Sequence, residues 1–450
     1  MMSLGEAALV LGGVLRGADA PFESVSSDSR TLARGALFVA LRGERFDGHR
    51  FLDAARAAGA AGAIVDQRAS AAAPLPVIEV ADTRQALCDL ARHWRARFAP
   101  VLIAIAGSNG KTTTKEMLAA ILRAHVGETA LLATAGNLNT DIGVSLTLLG
   151  LRARHRVCAI ELGSNHRGEI ALLAGIAQPT IAVVTNALRD HLEFLGSVEQ
   201  MAEENADALR ALPEDGIAVV NADDAQAARF RRAAGSRRVI DFGLEAPAAV
   251  GATVSLGALS SEVGIRTPAG AVQTRLSIPG LHSVRNALAA AACAIAAGVP
   301  PAAIGEGLAA FRPATRRLQV KALPGGATLL DDSYNANPDS VRAAIDVLAG
   351  CPAPTVLVLG DMGELGPEGP AFHREVGAYA RARGISRLVA LGEATRASVE
   401  AFGEGALHAA SVETAADAAR DGATILVKGS LFMGMNRVVA ALTGETAEAH

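Results

Sequence analysis

The residues Ala106-Gly107-Ser108-Asn109-Gly110-Lys111-Thr112-Thr113 directly follow the apolar run Val101-Leu102-Ile103-Ala104-Ile105. An apolar strand that enters a glycine turn and then the helical stretch Lys115-Glu116-Met117-Leu118 builds a phosphate cradle. The glycines let backbone N–H groups converge on phosphate oxygens, and the helix N-terminus adds the positive end of its dipole. Lys111 would reach the outer phosphates, and the Thr112 hydroxyl would help to hold Mg²⁺. A plain turn before an ordinary helix is the alternative. Strand, glycines, Lys-Thr and helix together speak against it. The general pattern G-x-x-x-x-G-K-[ST] asks for glycine at position 105, where Ile105 stands. This is a shortened loop, so the common kinases and GTPases lose ground.

Two further residues fall at the same sheet edge. Glu161 follows Val157-Cys158-Ala159-Ile160, and His191 comes a few residues after Ile181–Thr185. A carboxylate and a neutral imidazole there can ligate Mg²⁺. Each alone also fits a loop residue or a helix cap; the neighbouring loop tips the balance. The stretch Asp331-Asp332-Ser333-Tyr334-Asn335-Ala336-Asn337-Pro338 is dense in hydrogen-bonding side chains immediately after Leu329-Leu330. Helix capping explains one or two of them, not six. Gly360-Asp361-Met362-Gly363-Glu364-Leu365-Gly366 is of similar character, and fits a ligand-free glycine turn equally well.

The elements that must position these residues differ along the chain. Up to about residue 98, short β-like pieces (Ala36–Leu41, Ala63–Val65) are separated by alanine-rich helices such as Phe51–Gly59. From about 100 to 311, the apolar runs Val101–Ala106, Val157–Leu162, Ile181–Thr185 and Ile217–Asn221 predict buried strands of a mostly parallel sheet flanked by helices. The more polar Ala252–Ile278 predicts antiparallel hairpins appended to that sheet, and Gly280–Ala297 a helix. From about 312 a second α/β pattern begins, with strands at Thr328–Leu330, Thr355–Leu359, Arg387–Leu391 and Thr424–Val427. Helices at Val341–Ala349 and Phe372–Arg383 complete a smaller doubly wound domain. Ligands bind beyond the carboxyl ends of such strands, where Gly360–Gly363 and Lys428-Gly429-Ser430 fall.

Bulk properties set the outer limits. At 450 residues the chain exceeds one core, and about two to four domains are expected. The net charge of −4, without a long basic run, does not indicate a nucleic-acid surface. Cys88, Cys158, Cys293 and Cys351 lie far apart and read as apolar fillers in a reducing compartment. No apolar run spans a bilayer, and the N-terminus reads as a short amphipathic helix rather than a signal peptide. A cytoplasmic protein without membrane insertion is expected.

The chain resembles the Mur ligases almost from end to end. Ser27-Asp28-Ser29-Arg30, Gly35–Gly43 and Asp47-Gly48-His49 resemble the uridine-nucleotide domain of two members of that family. The shortened loop Gly107–Thr113 is similar to the whole superfamily. Gly136-Asn137-Leu138-Asn139-Thr140-Asp141-Ile142-Gly143, Asp331–Ser340 and Leu359–Gly366 resemble the member that adds D-alanyl-D-alanine. The resemblance implies an α/β fold of three domains. These are a small α/β N-terminal domain (1–98) for the UDP-sugar peptide, a central mostly parallel-sheet P-loop ATPase domain (99–311), and a C-terminal doubly wound Rossmann-like domain (312–450). It implies a ligase that uses ATP and Mg²⁺ to join D-alanyl-D-alanine to UDP-N-acetylmuramoyl-tripeptide in cell-wall precursor synthesis, acting as a monomer.

The resemblance also implies roles. ATP would lie on Gly107, Ser108, Asn109, Gly110, Lys111, Thr112 and Thr113, with Asn286 at adenine and Arg317 and Asp332 at phosphate and ribose. Lys111, Glu161 and His191 would be catalytic; Thr112, Glu161 and His191 would serve the metal. Ser29, Arg30, Gly43, His49, Asn139, Thr140, Asn335 and Asn337 would bind substrate. Three departures stand out: Arg316-Arg317 where the family usually has Gly-Arg, Leu431 where it has arginine, and Asn205 where most members carry a carbamylated lysine. Glu204 or Asp207 could supply the missing charge, although Glu203 and Glu204 read slightly better as an exposed helix face. Two rivals remain: a related ligase with another amino-acid substrate, and an inactive nucleotide-binding paralogue serving as a scaffold.

Overall fold

The computed structural model describes residues 1–43, 46–67 and 73–446. Chain contacts divide it into two compact units. The first comprises Met1–Ala104, Glu128–Ser164 and Glu169–Thr180. Its five-stranded sheet runs in the order Val14–Arg16, Val77–Val80, Gly62–Asp66, Leu37–Val39, Val25–Ser26. The first pair is antiparallel and the others parallel. The N-terminal helix Leu4–Leu11 starts on a capping box, in which Ser3 and Glu6 satisfy each other's backbone N–H. The helix Thr83–Arg95 is capped by Asp82 and packs against the helices Asp141–Leu149 and Glu169–Ala177. Its polar ends are tied down. Arg84 pairs with Asp141, the Trp94 indole donates to the Leu151 carbonyl at 3.1 Å, and the buried Arg95 donates to the Ala177 carbonyl at 3.0 Å. In the same unit Val157–Glu161 pairs in parallel with Leu131–Ala133.

The second unit comprises Ile105–Gly127, Asn165–Gly168 and Ile181–His450. Its parallel strands Ile181–Val184 and Ile217–Asn221 follow the expected apolar runs, and Arg238–Phe242, which was not expected, pairs beside Ile217–Asn221. The stretch expected to extend that sheet instead forms a sheet of its own, with antiparallel strands Gly251–Leu256, Ser261–Thr267 and Gly270–Leu276. Its alternation gives the reason. Val263, Ile265, Val272 and Leu276 are buried while Glu262 and Arg275 face out, so one face is apolar and the other wet. The apolar face packs on the helices Leu281–Ala296 and Pro301–Ala310, and both of these pack on Lys111–Val126. A Cβ at Gly307 would stand 2.3 Å from the backbone of Ile121, so glycine there permits the close helix crossing.

The C-terminal sheet of this unit has the order Gln319–Ala322, Thr328–Asp332, Thr424–Lys428, Thr355–Gly360, Arg387–Leu391, Ala406–Ala409. All pairs but the first are parallel. Leu329, Val358, Val427, Ala416 and Val438 fill its core. Parallel register places Asp332 opposite Lys428, and Lys428 opposite Leu359, so the carboxyl ends of three strands meet. The α/β class and the parallel sheets stand as the sequence predicts. All four cysteines are free and buried, and burial pushes the Cys158 thiol up to about 12. Among the described residues, no helix is long and apolar enough to cross a membrane.

Candidate nucleotide site

The loop Gly107–Thr113 is shaped by residues distant in the chain. Gly107 has φ +129°, and a Cβ there would stand 2.1 Å from Thr185 Oγ1. The Gly107 N–H donates to Asn205 Oδ1 at 3.0 Å, Ser108 N–H to the Asn186 carbonyl at 3.0 Å, and Asn109 N–H to Asn186 Oδ1 at 2.9 Å. Thr185 Oγ1 and Asn186 Nδ2 both donate to the Asn109 carbonyl, at 2.8 and 3.0 Å. Gly110, at φ +81°, is the N-cap of Lys111–Val126 and offers that helix no side-chain cap. A helix start without a side-chain cap is the kind at which anions bind. Lys111 Nζ donates to the Gly107 and Ser108 carbonyls at 2.6 and 2.9 Å. Asn286, on Leu281–Ala296, lies so close that a Cβ at Gly110 would meet its Oδ1 at 2.2 Å.

The strand ends of the C-terminal sheet meet this loop within the same unit. Asn109 and Asn337 exchange amide hydrogen bonds at 3.1 and 2.8 Å, while Asn337 also N-caps the helix Pro338–Ala349. Arg317 donates to Thr112 Oγ1 at 3.4 Å and lies 3.9 Å from the Tyr334 ring centre, so a cation–π contact holds it. Asp332 accepts from Leu318 N–H at 3.1 Å and pairs with Lys428 at 2.5 Å; Lys428 also donates to the Asn335 carbonyl at 2.9 Å. Arg316 sits at φ +63°, a region that favours glycine, which accounts for the residue type usual there in relatives. Its side chain offsets the strain by bonding the Ser333 hydroxyl at 3.1 Å and the Ser333 carbonyl at 2.7 Å. The second departure, Leu431, opens the 3₁₀ turn Leu431–Met433 and is half exposed.

His191 has φ +51° and precedes the short helix Leu192–Leu195. Its Nδ1 pairs with Glu364, and its Nε2 lies 3.4 Å from Asp190 Oδ2. Burial opposes charge on the imidazole, but the Glu364 hydrogen bond and the Asp190 charge outweigh it and raise its pKa. The same hydrogen bond, against burial, lowers that of Glu364. Beside it, Arg189 bonds both Asp339 (2.6 Å) and Glu375 (2.7 Å). Sequence reading missed Asn186, Thr185, Arg189 and the Glu364 partner. Asn186 was within reach, as a polar residue just beyond a buried strand.

The helix Val198–Arg210 corrects one expectation. Glu204 is buried, not on an exposed face, and accepts from Gly168 N–H at 2.7 Å. Met201, Glu204, Asn205 and Ala208 form the inward stripe at helical spacing. Glu203, by contrast, is exposed and pairs with Arg210 and Arg229. Asp207 also pairs with Arg210, at 2.7 Å.

The first unit holds the other candidates. Glu161 is buried; its Oε1 accepts from Asn139 Nδ2 at 2.8 Å, and its N–H donates to Thr134 Oγ1 at 3.0 Å. Thr140 is the N-cap of Asp141–Leu149. Arg30, whose side chain is 86% exposed, bonds only two residues back, to Asp28, at 2.7 and 2.9 Å. That contact holds the Asp28 carboxyl down at about 2. His49 is buried. Its Nδ1 lies 2.7 Å from Asp47 Oδ1 and its Nε2 accepts from Asp66 N–H at 3.1 Å, which fixes a neutral Nδ1–H tautomer. Ser29 is half-buried on the turn between them, and Gly43 N–H donates to the Phe46 carbonyl at 2.8 Å.

Known proteins match this arrangement throughout. Residues 21–95 match the Mur ligase family catalytic domain, 105–294 the Mur ligase middle domain, and 316–431 the Mur ligase glutamate ligase domain. The UDP-N-acetylmuramoyl-tripeptide–D-alanyl-D-alanine ligase of Escherichia coli is 41% identical over 98% of both chains. The crystal structure of MurF from Acinetobacter baumannii superposes with a TM-score of 0.91 at 33% identity, covering 99% of both chains. MurF from Thermotoga maritima in complex with ADP superposes at 0.83, with 25% identity, over 94% of this chain and 97% of that one. A likeness of this length and degree, with the phosphate loop inside it, shows that the chain belongs to the Mur ligase family.

Proposed function

We propose that this chain is the ATP-dependent ligase that joins D-alanyl-D-alanine to UDP-N-acetylmuramoyl-tripeptide. The observation that carries the reading is the 41% identity over 98% of both chains to the E. coli enzyme of that activity. In this reading the tripeptide carboxylate attacks the γ-phosphorus of ATP, giving an acyl phosphate and ADP. The dipeptide amine then attacks the acyl carbon, loses a proton and expels inorganic phosphate, leaving the new amide. No enzyme nucleophile takes part, so the protein positions groups and neutralises charge.

The residues divide that work. The loop N–H groups and Lys111 hold the phosphates, Asn286 faces adenine, and Arg317 and Asp332 serve phosphate and ribose. Asn335 and Asn337 serve the acceptor side, and Asn139 and Thr140 the tripeptide. Of the N-terminal group, Ser29, Arg30 and Gly43 meet the UDP-sugar peptide directly. His49, with both nitrogens engaged, shapes the surface beside them. Domains 1–98, 99–311 and 312–450 carry the sugar-peptide, nucleotide and acceptor roles.

Mg²⁺ fits the donors present. Among the described residues no three His, Cys, Asp or Glu side chains cluster to hold an ion alone, and Mg²⁺ bound with substrate phosphates needs only one or two protein ligands. We assign it to Thr112 and His191, with Glu161 carrying the same assignment from its sequence position. When bound, the ion neutralises phosphate charge. His191 must first exchange its Glu364 contact. Dependence on ATP supports the cytoplasm, and a monomer is part of the same proposal. The test is mass spectrometry of the product. Incubation with both substrates and ATP should yield the dipeptide-extended UDP-sugar peptide, and hydroxylamine in place of the dipeptide should yield a hydroxamate. Absence of the extended product would refute the assignment.

A further inference from the structure

Asn205 is 1% exposed and lies on the inward stripe of Val198–Arg210. Its orientation is fixed by chemistry: the Gly107 N–H can only donate, so the oxygen of the amide must face it, at 3.0 Å. That leaves the Nδ2 donor on the same planar group, beside the first residue of the phosphate loop. Among the described residues, this buried donor has no hydrogen-bond partner. Buried polar groups are nearly always paired, and an orphan in a binding site is a donor held for a ligand. Around it, the loop's own carbonyls are engaged elsewhere: Gly107 and Ser108 by Lys111, Asn109 by Thr185 and Asn186.

We propose that Asn205 is a further nucleotide-binding residue, its Oδ1 setting the turn at Gly107 and its Nδ2 donating to a phosphate oxygen of the bound nucleotide. The inference rests on the nucleotide reading above. It gives this position a task that an uncharged amide performs directly, in place of the carbamate that a lysine would carry. Asn205→Asp separates the two halves of the amide. A carboxylate keeps the acceptor for Gly107 but replaces the donor with an anion facing phosphate. Calorimetric titration with MgADP should show affinity reduced by about tenfold or more, the loss expected for a hydrogen bond to a charged group plus new repulsion. The melting temperature without nucleotide checks that the variant folds, and the KM for the dipeptide should not change.

If the aspartate variant does not fold, the shape-matched Asn205→Leu, which lacks both groups and buries no charge, should show at least the same loss. Wild-type protein that binds MgADP alongside a folded variant binding it equally well would overturn this inference alone. Wild-type protein that binds no nucleotide would overturn the nucleotide reading, and this inference with it.

Discussion

The phosphate loop and the N-terminal motif residues are built in opposite ways. Gly107 is held by a residue 98 positions away, and Asn109 by one 228 positions away. Arg30 and His49 are instead held by Asp28 and Asp47, each two positions back. A loop whose shape depends on distant partners exists only once the second unit is folded. Motifs held by near neighbours keep their shape with little help from the rest of the chain. Substitutions at the two places should therefore differ in kind. Where a contact between distant residues shapes the loop, a substitution changes geometry and stability together; in the N-terminal motifs it changes ligand contacts and leaves the fold alone.

The largest effect should come from Lys111→Ala. It removes the cation that the proposed function assigns to the phosphates, and the ligation rate should fall by about a hundredfold or more, as when one preorganised charge-stabilising donor is lost. The melting temperature should stay near that of the wild type. A variant ligating at near wild-type rate would take the loop out of the mechanism.

Next in size is Asn337→Ala. It deletes both a helix cap and the reciprocal amide contact with Asn109, so urea unfolding should show about 1–2 kcal/mol of lost stability. The double variant with Asn109→Ala should lose less than the sum of the two single losses, because they share that contact. Strict additivity would mean that the contact carries no energy.

Asn205 supports a chemical prediction. Asparagine cannot take up CO₂, so depleting CO₂ at mildly acidic pH should cause no loss that added bicarbonate restores. Rescue by bicarbonate would place a carbamylated lysine elsewhere and remove this departure from the argument.

The smallest effect belongs to Arg30→Ala. It should weaken binding of the UDP-sugar peptide and leave ATP affinity unchanged. Asp28 should lose its partner, and its carboxyl should rise from about 2 toward the ordinary carboxylate value, as an NMR titration would read. The sign follows from linkage: a carboxyl depressed in the folded state adds stability above its unfolded pKa, lost as pH falls toward about 2. Both groups are exposed, so the effect on unfolding should be slight. Weakened ATP binding instead would contradict the division of roles.

Much of this was legible from residue types. The strand Val101–Ala106 is apolar at every position and the helix Leu281–Ala296 is rich in alanine, so both could be read at sight. The motifs at 107–113 and 331–338 stand out by residue type alone. What escaped depends on three-dimensional neighbours. No local signal pairs Asn109 with Asn337 or His191 with Glu364. The independent sheet at 251–276 hides because hairpins look the same whether they extend a sheet or form one. Glu204 is a different case: its helical spacing with Met201 and Ala208 was available, and its charge argued for the surface. Arg316 shows that a left-handed position can hold an arginine when two hydrogen bonds compensate it.

The central claim is that phosphate is released in sustained turnover only when both halves of the amide are present. Phosphate release measured with ATP, Mg²⁺, UDP-N-acetylmuramoyl-tripeptide and D-alanyl-D-alanine tests it most directly. The account predicts sustained release with the complete mixture and only background when either the tripeptide or the dipeptide is left out. Release at the same rate without the dipeptide, or none with the complete mixture, would contradict it.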